Sequence, residues 1–187
     1  ASNLIFPHIW SRAGRRVKVP IISNASDRPL ANQTLELWNR LARLPAGKAM
    51  FSRLVCFRAP YFGSIRPRFV RLEPGVAEVR MKKRRVVQNH IGTVHAIAMC
   101  NMAELAGGTM TEVTVAPSQR WIPKGMTVRY LKKAGSNLRA VATPASALPE
   151  TGESGDYPVR VEVRDADDEL VFEAEILMWV SAKKPPQ

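Results

Sequence analysis

Cysteine and histidine are scarce in this 187-residue chain, which has two cysteines and three histidines. Cys56 and Cys100 lie far apart in apolar segments, with no CxxC pair and no cluster of histidines. A zinc site needs several such ligands at short spacing, so we expect no metal site. Isolated cysteines among apolar neighbours are typical of free thiols in a reducing compartment, and the sequence therefore predicts a cytoplasmic protein.

Long apolar runs are also lacking. No segment approaches the roughly 20 apolar residues that span a bilayer. The first residues, "ASNLIFPHIW", include a short apolar patch without a basic segment before it. A secretion signal has such a basic segment, so we expect neither secretion nor a membrane partner.

Acidic residues are outnumbered, with 16 Asp and Glu against 28 Lys and Arg and a formal net charge of +12. A basic surface favours polyanions, either nucleic acid or a phosphorylated cofactor, although charge also serves solubility alone. The basic residues are dispersed and no nucleic-acid-binding motif occurs. We therefore expect no nucleic-acid partner.

The order of predicted elements indicates one main domain, residues 32–182. Apolar residues at helical spacing predict two short helices, in segments 32–43 and 48–60, which Pro45 and Pro60 end. Turn signals predict β-hairpins around residues 73–75, 135–137 and 166–168. We expect residues 1–31 to form an irregular extension and residues 183–187 a frayed tail.

The segment "QNHIGTVHAIAMCNMAELAGG", residues 88–108, predicts one long helix that is apolar on nearly every side. Thr93 is a suitable N-cap, and Gly107-Gly108 is a suitable end. A helix that is apolar all round is buried. With about six antiparallel strands to cover it, the sheet would curl around this central helix in an α+β architecture.

The polar residues of this helix require an explanation, because burial of a polar or charged side chain costs free energy unless it has a partner. Asn101 and Glu104 lie three residues apart and are expected on one face. Glu104 is either a structural carboxylate paired with an arginine or a base or nucleophile with a raised pKa. His95 is either a capping residue or a functional one. Nine residues separate His95 from Glu104, roughly 900° of helical rotation, so the two point in opposite directions.

Two such helices lying antiparallel would bring the start of one to the middle of the other. A two-fold dimer creates this arrangement twice. We therefore expect His95 and Glu104 to meet across a dimer interface.

The spacing of Asn89, His95 and Glu104 resembles the active-site helix of acyl-CoA thioesterases of the phenylacetate-pathway type. The chain is more similar still to the DUF4442 branch of that superfamily. Typical segments are "APYF" at residues 59–62, "LEPG" at residues 72–75 and "VRYLKKA" at residues 128–134. The resemblance covers residues 34–182 and implies the hotdog fold, a curved antiparallel sheet wrapped around one central helix.

The resemblance also implies an activity, acyl-CoA thioester hydrolysis, and a role for each matching residue. Glu104 would be the general base or nucleophile, and Asn89 would orient the water or the carbonyl. The backbone N–H of Ala96, with His95 beside it, would stabilise the oxyanion at the helix start. No cofactor is required, because coenzyme A is part of the substrate. A homodimer or a pair of dimers is expected.

Basic side chains would bind the phosphates of coenzyme A. The candidates are Lys132, Lys133 and the run Lys82–Arg85, with Arg85 taken from that run; each is otherwise an ordinary solvated residue. Trp121 and Tyr130 are candidates for lining a ligand tunnel, with core packing the expectation for Tyr130.

One departure from the thioesterase pattern lies at the helix start. His95-Ala96-Ile97 stands where those enzymes have His-Gly-Gly, and the larger side chains narrow the approach to the backbone. The alternative is a hotdog protein that binds acyl-CoA or lipid without hydrolysing it. A hotdog dehydratase is a further alternative, although no second acid/base partner stands out.

Overall fold

The computed structural model describes residues 32–150 and 153–183. The predicted extension, residues 1–31, and most of the predicted tail lie outside the described residues. Helix α1 spans Gln33–Leu41 and helix α2 spans Gly47–Arg58, followed by a 3₁₀ helix at Pro60–Ile65. Both predicted helices are therefore present. The side chain of Asn32 caps α1 by accepting a hydrogen bond from the N–H of Leu35 at 3.0 Å.

Six antiparallel strands form one sheet in the order β1-β2-β4-β5-β6-β3. Their bounds are β1 Arg68–Glu73, β2 Val76–Met81, β3 Gln119–Tyr130, β4 Leu138–Pro144, β5 Gly155–Arg164 and β6 Leu170–Ala182. The predicted β1–β2 and β5–β6 hairpins are confirmed.

The predicted hairpin around residues 135–137 is wrong, because β3 pairs with β6 rather than with β4. β6 has 13 residues and β3 has 12. The two strands pair along the whole length of β3, from Gln119↔Ala182 to Tyr130↔Phe172. The segment after β3 instead carries the chain across to β4 beside β2. β3 is consequently an edge strand of the sheet.

The central helix, α3, spans Ala96–Thr114 and contacts all six strands. Its middle is deeply buried, with Met102, Ala103, Ala106 and Met110 fully inaccessible to solvent. The α+β hotdog architecture predicted from the sequence is confirmed. No helix among the described residues is long and apolar enough to cross a membrane.

Both predicted ends of α3 are wrong. The N-cap is His95 rather than Thr93, because Thr93 is held in the preceding loop by Asn89. The helix also continues through Gly107-Gly108 to Thr114. Gly107 is needed there for packing, since a Cβ at this position would lie 2.9 Å from Cδ1 of Ile176. The glycine lets the helix approach the sheet closely.

The two N-terminal helices cover one end of the sheet through an aromatic cluster. Phe51 of α2 lies edge-on to Trp38 of α1 and to Phe69 of β1, with ring centroids 5.1 Å and 5.2 Å away. Each of these side chains is almost fully buried, and burial of a large apolar side chain contributes about 1.5–3 kcal/mol. α1 and α2 are thereby fixed beside α3, where they form a wall of the site described next.

Candidate active site

The start of α3 presents hydrogen-bond donors. Nδ1 of His95 accepts a hydrogen bond from the N–H of Ile97 at 3.1 Å. Because Nδ1 is an acceptor, the neutral imidazole carries its proton on Nε2 and can donate from there. The described residues offer no acceptor for the N–H of Ala96. This helix start therefore offers two donors at the positive end of the helix dipole.

The loop before the helix is organised by Asn89. Its Oδ1 accepts from the N–H groups of Ile91 at 3.2 Å and Thr93 at 3.1 Å, and its Nδ2 donates to Oγ1 of Thr93 at 2.8 Å. Val94 then donates to the carbonyl of Ala134 at 2.8 Å, which ties the loop to the segment after β3. In this arrangement the side chain of Asn89 shapes the turn that leads to His95.

Glu104 is exposed in the single subunit, contrary to the expectation that the whole helix is buried. It forms no hydrogen bond or salt bridge with the residues that the structure describes. Ile97 is also exposed, at 54%, and lies seven residues earlier. Seven residues are almost two full turns, so Ile97 and Glu104 lie on one side of the helix, which the sheet leaves uncovered.

Asn101, which was expected to share a polar face with Glu104, is buried instead. Its Nδ2 donates to Oγ of Ser64 at 3.1 Å and to the carbonyl of Tyr61 at 3.4 Å, and its Oδ1 has no partner among the described residues. Asn101 thus connects α3 to the 3₁₀ helix.

An apolar cavity of about 520 Å³ lies between α2, α3 and β3. Glu104 is on its wall together with Leu105 and Gly108 of the same helix. The remaining wall is mostly aliphatic and aromatic, which is typical of a site for an apolar ligand. Its apolar side chains are Leu37, Phe51, Leu54, Val55, Ala59, Phe62, Leu105, Trp121, Pro123 and Met178.

Trp121 is one of the two aromatic residues considered for a ligand tunnel, and it does line this cavity. Tyr130 does not reach the core: its side chain is 49% exposed at the end of β3. A hydrogen bond with Sγ of Cys100, at 3.2 Å, together with partial burial, raises the pKa of Tyr130 to about 12. Tyr130 is exposed because, as an edge strand, β3 has its inner face only partly covered by α3.

The three predicted phosphate-binding residues are all exposed. Lys132 is paired with Glu169 at 2.7 Å, whereas Lys133 and Arg85 form no salt bridge with a described residue. A denser group of cations lies elsewhere. Arg66, Arg68, Arg80, Lys82 and Arg139 line a cavity of about 580 Å³ at one end of the sheet.

The strand register explains this group, because Arg68, Arg80 and Arg139 are directly opposite one another in β1, β2 and β4. Sequence reasoning included Lys82 among the candidates but missed the four arginines. The turn between β1 and β2 already predicts that Arg68 lies opposite Arg80. That Arg139 joins them follows only from the pairing of β2 with β4.

The sequence matches a family model described as a domain of unknown function, DUF4442, over residues 47–180. No curated protein matches it at a significant level. Among solved structures, the protein of "Crystal Structure of genomics APC5556" is 47% identical, with a TM-score of 0.69, over 80% of this chain and 98% of that one.

Two further structures share the fold. A Pseudomonas aeruginosa protein of unknown function, PA5026, described as a probable thioesterase, is 25% identical with a TM-score of 0.63, over 75% of this chain and 97% of that one. The thioesterase HI1161 from Haemophilus influenzae is 14% identical with a TM-score of 0.61, over 69% of this chain and 87% of that one. From the family match and the 47% identical relative, the chain belongs to the DUF4442 family of hotdog-fold proteins.

Proposed function

We propose that the protein is a thioester hydrolase that acts on acyl-CoA or a related acyl thioester. The observation that carries the proposal is the position of Glu104, a carboxylate that no described residue pairs, on the wall of an apolar cavity of about 520 Å³. The cavity suits the acyl group, and the carboxylate lies where the thioester end would be. Solved structures of the same fold that are described as thioesterases support this choice of reaction.

In the proposed reaction, Glu104 acts as the general base. It takes a proton from water as the water oxygen attacks the thioester carbonyl. The resulting tetrahedral oxyanion is held by the N–H of Ala96 and the Nε2–H of His95. Collapse of this intermediate breaks the carbon–sulfur bond, and the thiolate takes the proton back from Glu104. The products are a carboxylic acid and a thiol, and no cofactor takes part.

These donors come from a second subunit. Within one helix, Glu104 lies nine residues beyond His95, roughly 13 Å along the axis and on the opposite side. The start of α3 in the partner subunit can supply the donors if the two helices lie antiparallel. Each dimer then contains two identical sites.

The exposed edge of β3 supports a dimer of this kind. β3 ends the sheet, is 12 residues long, and is exposed along most of its length. Met126 and Tyr130 lie on the face that α3 only partly covers, and they are 38% and 49% exposed. A long edge strand with exposed apolar side chains on its inner face can pair with another chain. Antiparallel pairing of β3 with its copy would place the two α3 helices side by side.

Coenzyme A requires cations for its phosphates. We assign this role to Lys133 and Arg85, with Lys132 released from Glu169 when the ligand binds. The thiol-releasing reaction and the two free cysteines fit a reducing compartment, so we place the enzyme in the cytoplasm.

A second candidate function is binding without hydrolysis. Ile97, exposed at the helix start, favours it because a bulky side chain beside the oxyanion donors obstructs the substrate. A panel of acyl-CoA thioesters of different chain lengths distinguishes the two functions. Thiol release that Glu104→Gln reduces at least 100-fold supports the hydrolase. Tight binding of the same compounds without thiol release would instead establish the binding protein.

A further inference from the structure

Trp121 forms part of the wall of the cavity that we assign to the acyl group. The cavity follows α3 from Glu104 past Gly108 to Glu112, a distance of about 12 Å along the helix axis. The indole of Trp121 lies along the last part of this stretch, between Gly108 and Glu112, and forms the wall of the apolar space there.

The indole is held in place at two points. Its Nε1 donates a hydrogen bond to Oε2 of Glu112 at 2.7 Å. Its far edge lies over Gly108, where a Cβ would be 3.0 Å from Cη2 of the indole. Gly108 thus leaves room for the ring against the helix, and Glu112 fixes its rotation. An aromatic side chain held by both contacts is a rigid wall.

A second cavity, of about 660 Å³, lies directly behind this wall. It is more polar than the first, with Asn32, Gln119, Arg120 and Lys183 in its lining. Three residues line both cavities: Thr34, Glu112 and Trp121. Of these three, Trp121 is by far the largest, so its indole is the main partition between the apolar and the polar space.

We infer that Trp121 sets an upper limit on the length of the acyl chain, and that the preferred substrates are thioesters of straight aliphatic acyl groups of medium length. This inference rests on the proposed function for the position of the thioester end. A chain that reaches the indole fills the apolar cavity. A longer one must displace the ring and break its hydrogen bond to Glu112 at a partly buried position, which costs free energy.

Truncation of the wall tests the inference. Trp121→Ala joins the two cavities, so the profile of kcat/KM against chain length should move to longer chains. We expect the ratio for hexadecanoyl-CoA over octanoyl-CoA to rise at least 10-fold, since even one methylene in an apolar pocket is worth about 10-fold or more. The matched control is Trp179→Ala, which removes a tryptophan from the outer side of the sheet and should leave the profile unchanged.

Two further variants keep the test valid if Trp121→Ala does not fold. Trp121→Phe preserves an aromatic wall without the hydrogen bond and should give a smaller shift in the same direction. Gly108→Ala presses on the ring from the helix side and should shorten the preferred chain. An unchanged profile in all the folded variants of Trp121 and Gly108, or an equal shift in the Trp179 control, would overturn the inference.

The role of Trp121 can be tested even if the protein proves not to be a hydrolase. If the wild-type protein hydrolyses no thioester, the same chain-length series is measured by displacement of a fluorescent fatty acid from the protein. A binding preference for medium chains that Trp121→Ala extends would support the wall even without catalysis. Absence of binding at every chain length would overturn it.

Discussion

The N–H of Ile97 donates to Nδ1 of His95 at 3.1 Å, so the same imidazole caps α3 and directs its Nε2–H away from the helix. The cap stabilises the helix by satisfying one of the free N–H groups of the first turn. The second nitrogen is the group that we propose to stabilise the oxyanion. Stability and activity therefore depend on different atoms of one side chain, and substitutions can separate them.

His95→Asn should separate the two roles. Asparagine is a favourable N-cap, so the free energy of unfolding should stay close to that of the wild type, whereas His95→Ala should lose about 1 kcal/mol. Both variants lack the Nε2–H and should lose about 100-fold in thioester hydrolysis. Urea unfolding and thiol release measure the two effects. An active asparagine variant would remove His95 from the oxyanion site.

Gly107→Ala should destabilise the fold despite the better helix propensity of alanine. The new methyl group would lie 2.9 Å from Cδ1 of Ile176, and overpacking of this kind costs about 1–3 kcal/mol, against a gain of at most about 1 kcal/mol from propensity. Gly63→Ala is the control, because its nearest neighbour would be Cβ of Cys56 at 3.8 Å. Denaturant unfolding should therefore rank Gly107→Ala as the less stable variant.

The phenol of Tyr130 should ionise at a higher pH than an ordinary tyrosine. Its hydrogen bond with Cys100 and its partial burial favour the neutral phenol and raise its pKa to about 12, above the ordinary value of 10. The stabilisation is complete below pH 10, where the phenol is neutral in both folded and unfolded chains, and is lost between pH 10 and about pH 12. Cys100→Ala should lower the pKa by removing the hydrogen bond. Ultraviolet titration of both proteins measures it, and identical titration curves would contradict this account.

Met126→Lys should weaken the dimer. Met126 lies near the middle of β3, where a second copy would bury it, and an unpaired buried charge costs several kcal/mol. We expect light scattering to show a dimer for the wild type and a dimer dissociation constant at least about 100-fold higher for the variant. Leu44→Lys, at a 53% exposed position between α1 and α2, is the control. A wild-type monomer at working concentrations would contradict the shared site.

The parts of the fold that local patterns determine were predictable from the sequence. Alternation in β2 and the turn at residues 73–75 define the first hairpin, and the apolar run from Ala96 identifies the central helix. The partner of β3 was not predictable, because strand order depends on which lengths and faces match across the sheet. The C-terminal end of α3 was predicted wrongly for a similar reason. Gly107 packs against Ile176, and the sequence alone does not reveal that contact.

For the site, the separation of His95 and Glu104 followed from helical geometry alone. The exposure of Glu104 did not follow, since it depends on how far the sheet wraps around α3. The role of Trp121 as a wall also required the fold, which brings β3 over Gly108 and Glu112.

The central claim is that each active site uses Glu104 of one subunit and the helix start of its partner. A mixture of Glu104→Gln and His95→Asn subunits, refolded together in equal amounts, tests it most directly. Half of the dimers are then mixed, and each of these contains one site with both residues intact. Thiol release should recover to about a quarter of the wild-type rate, although each variant alone is nearly inactive. A mixture no more active than its separate components would contradict the shared site.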